Sequence, residues 1–102
     1  MEKIIRAGKR LKTGHLEARI AVSLLSYCRV AVVVAKYGHT VVKRNRLRRR
    51  LRELVRVLLI PKLSGLDLVI RALPSAYAAD FKELAAEIER IQLKLAAEFS
   101  IV

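Results

Sequence analysis

Lys43-Arg44-Asn45-Arg46-Leu47-Arg48-Arg49-Arg50-Leu51-Arg52-Glu53-Leu54-Val55-Arg56 sets a dense run of positive charge on a regular apolar beat. At 100° per residue, with Leu47 at zero, Leu51, Leu54, Val55 and Leu58 fall within roughly 120° of arc, a stripe wide enough to face a core. Asn45, Arg49, Arg52 and Arg56 lie nearly opposite. Arg44 and Arg48 sit at the margin of the stripe, where an arginine can lay its methylenes on the core and send its guanidinium into a neighbouring groove. The spacing predicts one helix with two tasks, anchoring on one side and binding on the other.

From Lys36 to Arg56 there are nine basic residues and a single acid, Glu53. A helix stabilised by solvation alone would mix signs, because opposite charges at i,i+4 stabilise and like charges repel. Such a run needs a polyanion, and nucleic acid phosphate supplies one through Coulomb attraction and counterion release. The whole chain agrees: 102 residues, net charge +12 and 54% hydrophobic content describe one domain, residues 1–102, with a core of its own and an acidic partner. No stretch is long and apolar enough to span a bilayer, and the amino end lacks the layout of a signal peptide, so a cytoplasmic protein is expected. Cys28 is the sole cysteine. It precedes an apolar run and reads as a structural thiol. His15 and His39 are far apart, with no acidic cluster beside them, and predict no side-chain metal site.

Outward from the helix, Thr40 is its expected N-cap and Pro61 its expected stop, since the residue before a proline avoids the helical region. Upstream, Gly38 breaks a Val-Ala-Val-Val-Val run, and residues 29–35 read as a central strand. Residues 15–25 are β-compatible, after a basic segment holding Lys9, Arg10 and Lys12 and a turn at Thr13-Gly14. Residues 1–7 read as the end of a helix closed at Gly8. Downstream, Ser64-Gly65 makes a turn and residues 66–72 a short strand. Pro74-Ser75 then opens a final helix with Phe81, Leu84, Ala85, Ile88, Ile91, Leu95 and Phe99 at 3.6 spacing. That helix is acidic and is expected to face away from the polyanion. The order predicts an α+β sheet with helices packed on one face.

The run from Lys36 through Tyr37-Gly38-His39-Thr40 to Arg44-Asn45-Arg46 and Arg52-Glu53 resembles the signature of the bacterial ribonuclease P protein subunit. Asp67-Leu68-Val69-Ile70-Arg71-Ala72 is similar to that family's next strand. The resemblance implies an αβββαβα fold of the ribosomal-S5-domain-2-like kind, with a left-handed strand-helix-strand crossover where the usual rule favours the right hand. It also implies a non-catalytic protein. The RNA subunit of such a ribonucleoprotein holds the catalytic Mg2+ and removes the 5′ leader of precursor tRNA. Glu53 is the only acid near the basic helix, so no paired carboxylates stand ready for two-metal hydrolysis there; Glu53 reads as an intrahelical pair partner.

Carried over, the resemblance assigns Lys43, Arg44, Asn45, Arg46, Arg48, Arg49 and Arg52 to the ribonuclease P RNA, with the protein monomeric in the holoenzyme and no membrane involved. It assigns a leader-binding cleft to Ile5, Lys9, Arg10, Lys12, Leu16, Arg19, Lys36 and Tyr37. Here the chain departs from the family. The amino-terminal helix is shortened to residues 1–7, with Ile5 at one aromatic position, and Leu16 and Arg19 replace first-strand aromatics. Leader contacts are therefore expected to be electrostatic more than stacked. Tyr37 is expected either as a ring near the cleft or in a core or turn role. The alternatives are a ribosomal-type RNA-binding protein without processing activity and a dimeric DNA-binding regulator with this helix in the major groove.

Overall fold

A computed structural model describes residues 9–24 and 26–98 of the chain. Strands β1 (Lys9–Lys12), β2 (Leu16–Val22) and β3 (Arg29–Val33) precede the basic helix Val41–Leu54; β4 (Leu66–Ala72) and a closing helix, Phe81–Glu98, follow it. The helix expected over residues 1–7, and Ile5 with it, lie outside the described residues. The strands form one mixed sheet in the order β1-β2-β4-β3. β2 is antiparallel to both β1 and β4, and β3 is parallel to β4. A parallel pair cannot be closed by a hairpin, so the basic helix serves as its crossover.

One expectation is overturned: β3 is an edge strand, and β2 and β4 occupy the middle. A continuous valine-rich run suggests burial on both faces. In fact one side alone turns toward the core, with Val30, Val32 and the buried Val34 just past the strand, while Arg29, Ala31 and Val33 are exposed. The central strands instead show strict alternation. Leu16, Ala18 and Ile20 of β2 and Leu66, Leu68, Ile70 and Ala72 of β4 are buried, and the register pairs Ala18 with Ile70 and Ile20 with Leu68 across one face. Both helices cover that face. The other carries Arg19, Val69, Arg71, Ala31 and Val33, all exposed.

The basic helix begins as expected, with Thr40 Oγ1 accepting the Lys43 N–H at 3.2 Å. Its end differs. The α-helix stops at Leu54, a π-helical turn runs Val55–Leu59, and a 3-10 turn, Ile60–Lys62, carries the chain through Pro61. The Ile60 N–H reaches Val55 O across the wide turn. Pro61 then sits in the first turn of a new segment, where its missing N–H costs nothing. The wide turn also shifts the phase of the apolar stripe. Leu47, Leu51, Leu54 and Val55 are buried as predicted, but Leu59 completes the stripe and Leu58 is only half-buried.

The closing helix starts later than expected. Pro74–Tyr77 is a 3-10 turn, and the helix proper begins at Phe81 after a reciprocal cap: Glu83 N–H donates to Asp80 Oδ1 at 2.8 Å, and Asp80 N–H donates to Glu83 Oε1 at 3.0 Å. Phe81, at the mouth of this cap, is 46% exposed and is no core residue, whereas Leu84, Ile88, Ile91 and Leu95 are buried. Phe99 lies outside the described residues. Glu87 on the same helix is only 6% exposed. Its Oε1 accepts the Thr13 hydroxyl and, at 2.8 Å, the His15 N–H, tying the β1–β2 turn to the helix. His15 Nδ1 meets Ser75 Oγ at 2.8 Å on the same side.

Candidate nucleic-acid interface

Between β3 and the basic helix the chain reverses through two left-handed residues, Tyr37 at φ 48° and Gly38 at φ 85°. Glycine adopts this freely, whereas tyrosine does so at a cost of roughly 1–3 kcal/mol. The Tyr37 hydroxyl donates to Ala72 O at 3.4 Å, at the end of β4. Tyr37 is therefore a turn residue braced against the sheet, and the residue is 40% exposed.

The turn delivers the helix with its charged sides outward. Lys43, Asn45, Arg46, Arg48, Arg49 and Arg52 are all exposed. Arg44 is half-buried, and its Nε is shielded from solvent without a hydrogen-bond partner. At 60° on the wheel it lies between Leu51 and Val55, so its stem belongs to the apolar side.

The exposed residues divide between two flanks. Asn45, Arg48, Arg49 and Arg52 line a groove of about 590 Å³ between the helix and β3, with Val30 and Val32 from the strand and Arg56 further along. Lys43 and Arg46 lie on the other flank, in a 150 Å³ pocket with Arg50, His39 and Tyr77. Arg50 and Arg56 were absent from the expected set, although the same helical wheel places both on charged arcs. Glu53 is paired as expected, accepting from Arg56 Nη2 at 2.6 Å and Nε at 3.3 Å. Those hydrogen bonds hold its carboxyl below the usual carboxylate range. The groove's open positive charge thus rests on Arg48, Arg49 and Arg52.

The expected leader cleft is rearranged. Leu16 is 0% exposed in the core, so it lines no cleft. The period of two explains the correction: a residue paired with Ala72 on the helix side cannot share a face with Arg19. Arg19 is exposed on the open face, in register with Arg10 on one side and Val69 on the other. Lys9, Arg10 and Lys12 form edge strand β1, while Lys36 follows edge strand β3. Three strand spacings, about 14 Å, separate the two edges. The basic groups therefore border an open sheet face and do not gather in one cleft. Arg71 joins Arg19 at its centre. The sequence signal for Arg71 was the alternation of β4, which puts Asp67, Val69 and Arg71 opposite the core positions.

Two other groups on the sheet are accounted for. Arg29 forks onto Asp67 at 2.9 and 2.7 Å, and these hydrogen bonds hold the Asp67 carboxyl low. The Cys28 thiol is buried and free, pushed up to about 11 by burial and then by the Asp67 charge, which disfavours the thiolate form. Among the described residues no group of three or more His, Cys, Asp or Glu side chains is arranged to hold a metal, and no helix is long and apolar enough to cross a membrane.

The chain is similar to known ribonuclease P proteins. The family model "Ribonuclease P" matches residues 1–96. The ribonuclease P protein component of Kocuria rhizophila is 38% identical over 81 residues, covering 79% of this chain and 72% of that protein. That of a Nocardioides species is 38% identical over 93 residues, covering 91% and 79%. Among solved structures, the RNase P protein of Thermotoga maritima superposes with a TM-score of 0.74 at 22% identity, covering 87% of each chain. A Staphylococcus aureus RNase P protein mutant superposes with a TM-score of 0.78 at 20% identity, covering 94% of this chain and 80% of that one. These two likenesses concern the fold.

Proposed function

Since the chain belongs to the ribonuclease P protein family, and so serves as the protein subunit of an RNA-partnered endoribonuclease in tRNA 5′ maturation, we propose that its basic helix seats the RNA subunit and its open sheet face takes the precursor tRNA leader. The observation that carries this reading is the two-sided helix. One side is locked into the core by Leu47, Leu51, Leu54 and Val55, while Lys43, Asn45, Arg46, Arg48, Arg49 and Arg52 stand exposed. Arginine forks suit phosphate oxygens, and Asn45 both donates and accepts. Arg44 adds its guanidinium from the helix margin.

For the leader, the contacts are Arg19 on the open face, with Lys9, Arg10 and Lys12 along one edge and Lys36 and Tyr37 beyond the other. Val69, Ala31 and Val33 offer a shallow apolar floor, and among the described leader contacts Tyr37 alone carries a ring, so the attraction is chiefly electrostatic. Residues 1–102 act as one domain, monomeric in a cytoplasmic holoenzyme. The hydrolytic chemistry comes from Mg2+ held by the RNA; the protein's side chains bind, orient and offset phosphate repulsion.

Reconstitution tests the proposal. With a bacterial ribonuclease P RNA and precursor tRNA, adding the protein is expected to lower the Mg2+ concentration needed for cleavage, and the protein alone should leave precursor tRNA intact. Cleavage by RNA-free protein, or an unchanged Mg2+ requirement, would refute it.

A further inference from the structure

The smaller pocket has features that a phosphate-binding helix does not require. His39 and Tyr77 stack with ring centroids 3.9 Å apart and planes 14° from parallel. The Tyr77 ring is held from behind, its hydroxyl donating to Ala35 O at 2.6 Å, and the backbone turn that carries His39 is closed by the His39 main-chain N–H donating to Lys36 O at 2.8 Å. Lys43, Arg46 and Arg50 line the same 150 Å³ space, no acid does, and none of the three forms an ion pair with a described residue. Three unneutralised cations beside a pre-set aromatic pair make a site for an anion joined to a flat ring. The space is too small for a duplex groove and too polar for an apolar ligand.

We propose that this pocket holds an unpaired nucleotide of the RNA partner, its base extending the His39–Tyr77 stack and its phosphate lying among Lys43, Arg46 and Arg50. The inference rests on the RNA-subunit reading above and adds to it a second mode of recognition, stacking, on the flank away from the β3 groove. Every base has a π-face, so such a site tolerates sequence but demands a base out of its helix. It also gives the helix a fixed orientation, because phosphate contacts alone along its two charged flanks leave the RNA free to slide.

The test uses the full chain. In proton NMR, adenosine 5′-monophosphate is expected to move the His39 and Tyr77 ring resonances upfield by ring-current shielding, saturably, while inorganic phosphate at the same concentration is not. In the complex with ribonuclease P RNA, H39A should weaken affinity by about fivefold or more, as expected for a lost base stack, and H39F should restore most of it. R50A, which leaves the aromatic pair and the core in place, should weaken binding and reduce its salt dependence. Equal responses to phosphate and the nucleotide, or unchanged RNA affinity in both H39A and R50A while R49A and R52A bind more weakly, would overturn the nucleotide site alone. Unchanged affinity in all four variants would overturn the RNA-subunit reading with it.

Discussion

Replacing Arg49 or Arg52 with alanine should change stability by no more than about 0.5 kcal/mol, since both are exposed and pair with no described acid. Each substitution should nonetheless weaken RNA binding and reduce the slope of log K against log salt by about 1, by analogy with other phosphate contacts. Thermal unfolding and a salt titration of RNA affinity separate the two effects. Leu16 gives the converse case. Leu16→Phe is expected to cost about 1–3 kcal/mol by overpacking a site with 0% exposure, and to leave the preference for precursor over mature tRNA unchanged. Val69→Phe, exposed beside Arg19 on the open face, should cost little and increase that preference by giving the leader a ring. Affinities for the two tRNAs in both variants check the assignment. A larger preference in Leu16→Phe would restore Leu16 to the cleft. The resemblance to the family's aromatic positions placed Leu16 and Arg19 in one cleft because it carried no information on which side of β2 each one faces.

At the level of elements, what was legible depended on whether the signal was local. The Thr40 cap, the limits of β4 and the anchoring arc of the basic helix follow from neighbouring residues and are as expected. The place of β3 at the edge does not, because a Val-Ala-Val-Val-Val run has the same composition whether one face or two are covered. The π turn was equally hidden: the 3.6 period assumes uniform winding, and only tertiary packing determines that Leu59 displaces Leu58 in the stripe. The start of the closing helix was legible and missed, since Asp80-Phe81-Lys82-Glu83 spells a capping box. Asp80→Ala should therefore destabilise the fold by about 1 kcal/mol, within roughly 0.5–2, through loss of the bond to the Glu83 N–H. Chemical denaturation measures it, and a change well below that range would mean that Glu83 carries the cap alone.

For the whole molecule, the charge of +12 is arranged by layers. Helices and sheet share one core, the basic helix presents both its flanks, and among the described residues no element covers the second face of the sheet, which has Arg19 and Arg71 at its centre. The composition announced a polyanion partner, but only the strand order shows that Lys9, Arg10 and Lys12 stand at one border of the sheet and Lys36 follows the other. The turn fastened by Glu87 has a consequence for how the molecule opens. Hairpin tips normally exchange their amide protons almost as fast as an unfolded chain, because they open at little free-energy cost. The His15 amide is bound instead to a carboxylate rooted in the closing helix, so its deuterium uptake should be slow, of the order found for β2 and that helix. Glu87→Ala, which removes the accepting oxygen, should bring it back toward loop-like exchange while β4 stays protected. Fast uptake at His15 in the unaltered chain would show that the turn breathes independently; slow uptake would make the first hairpin and the last helix, 72 residues apart in the chain, one unit that opens together.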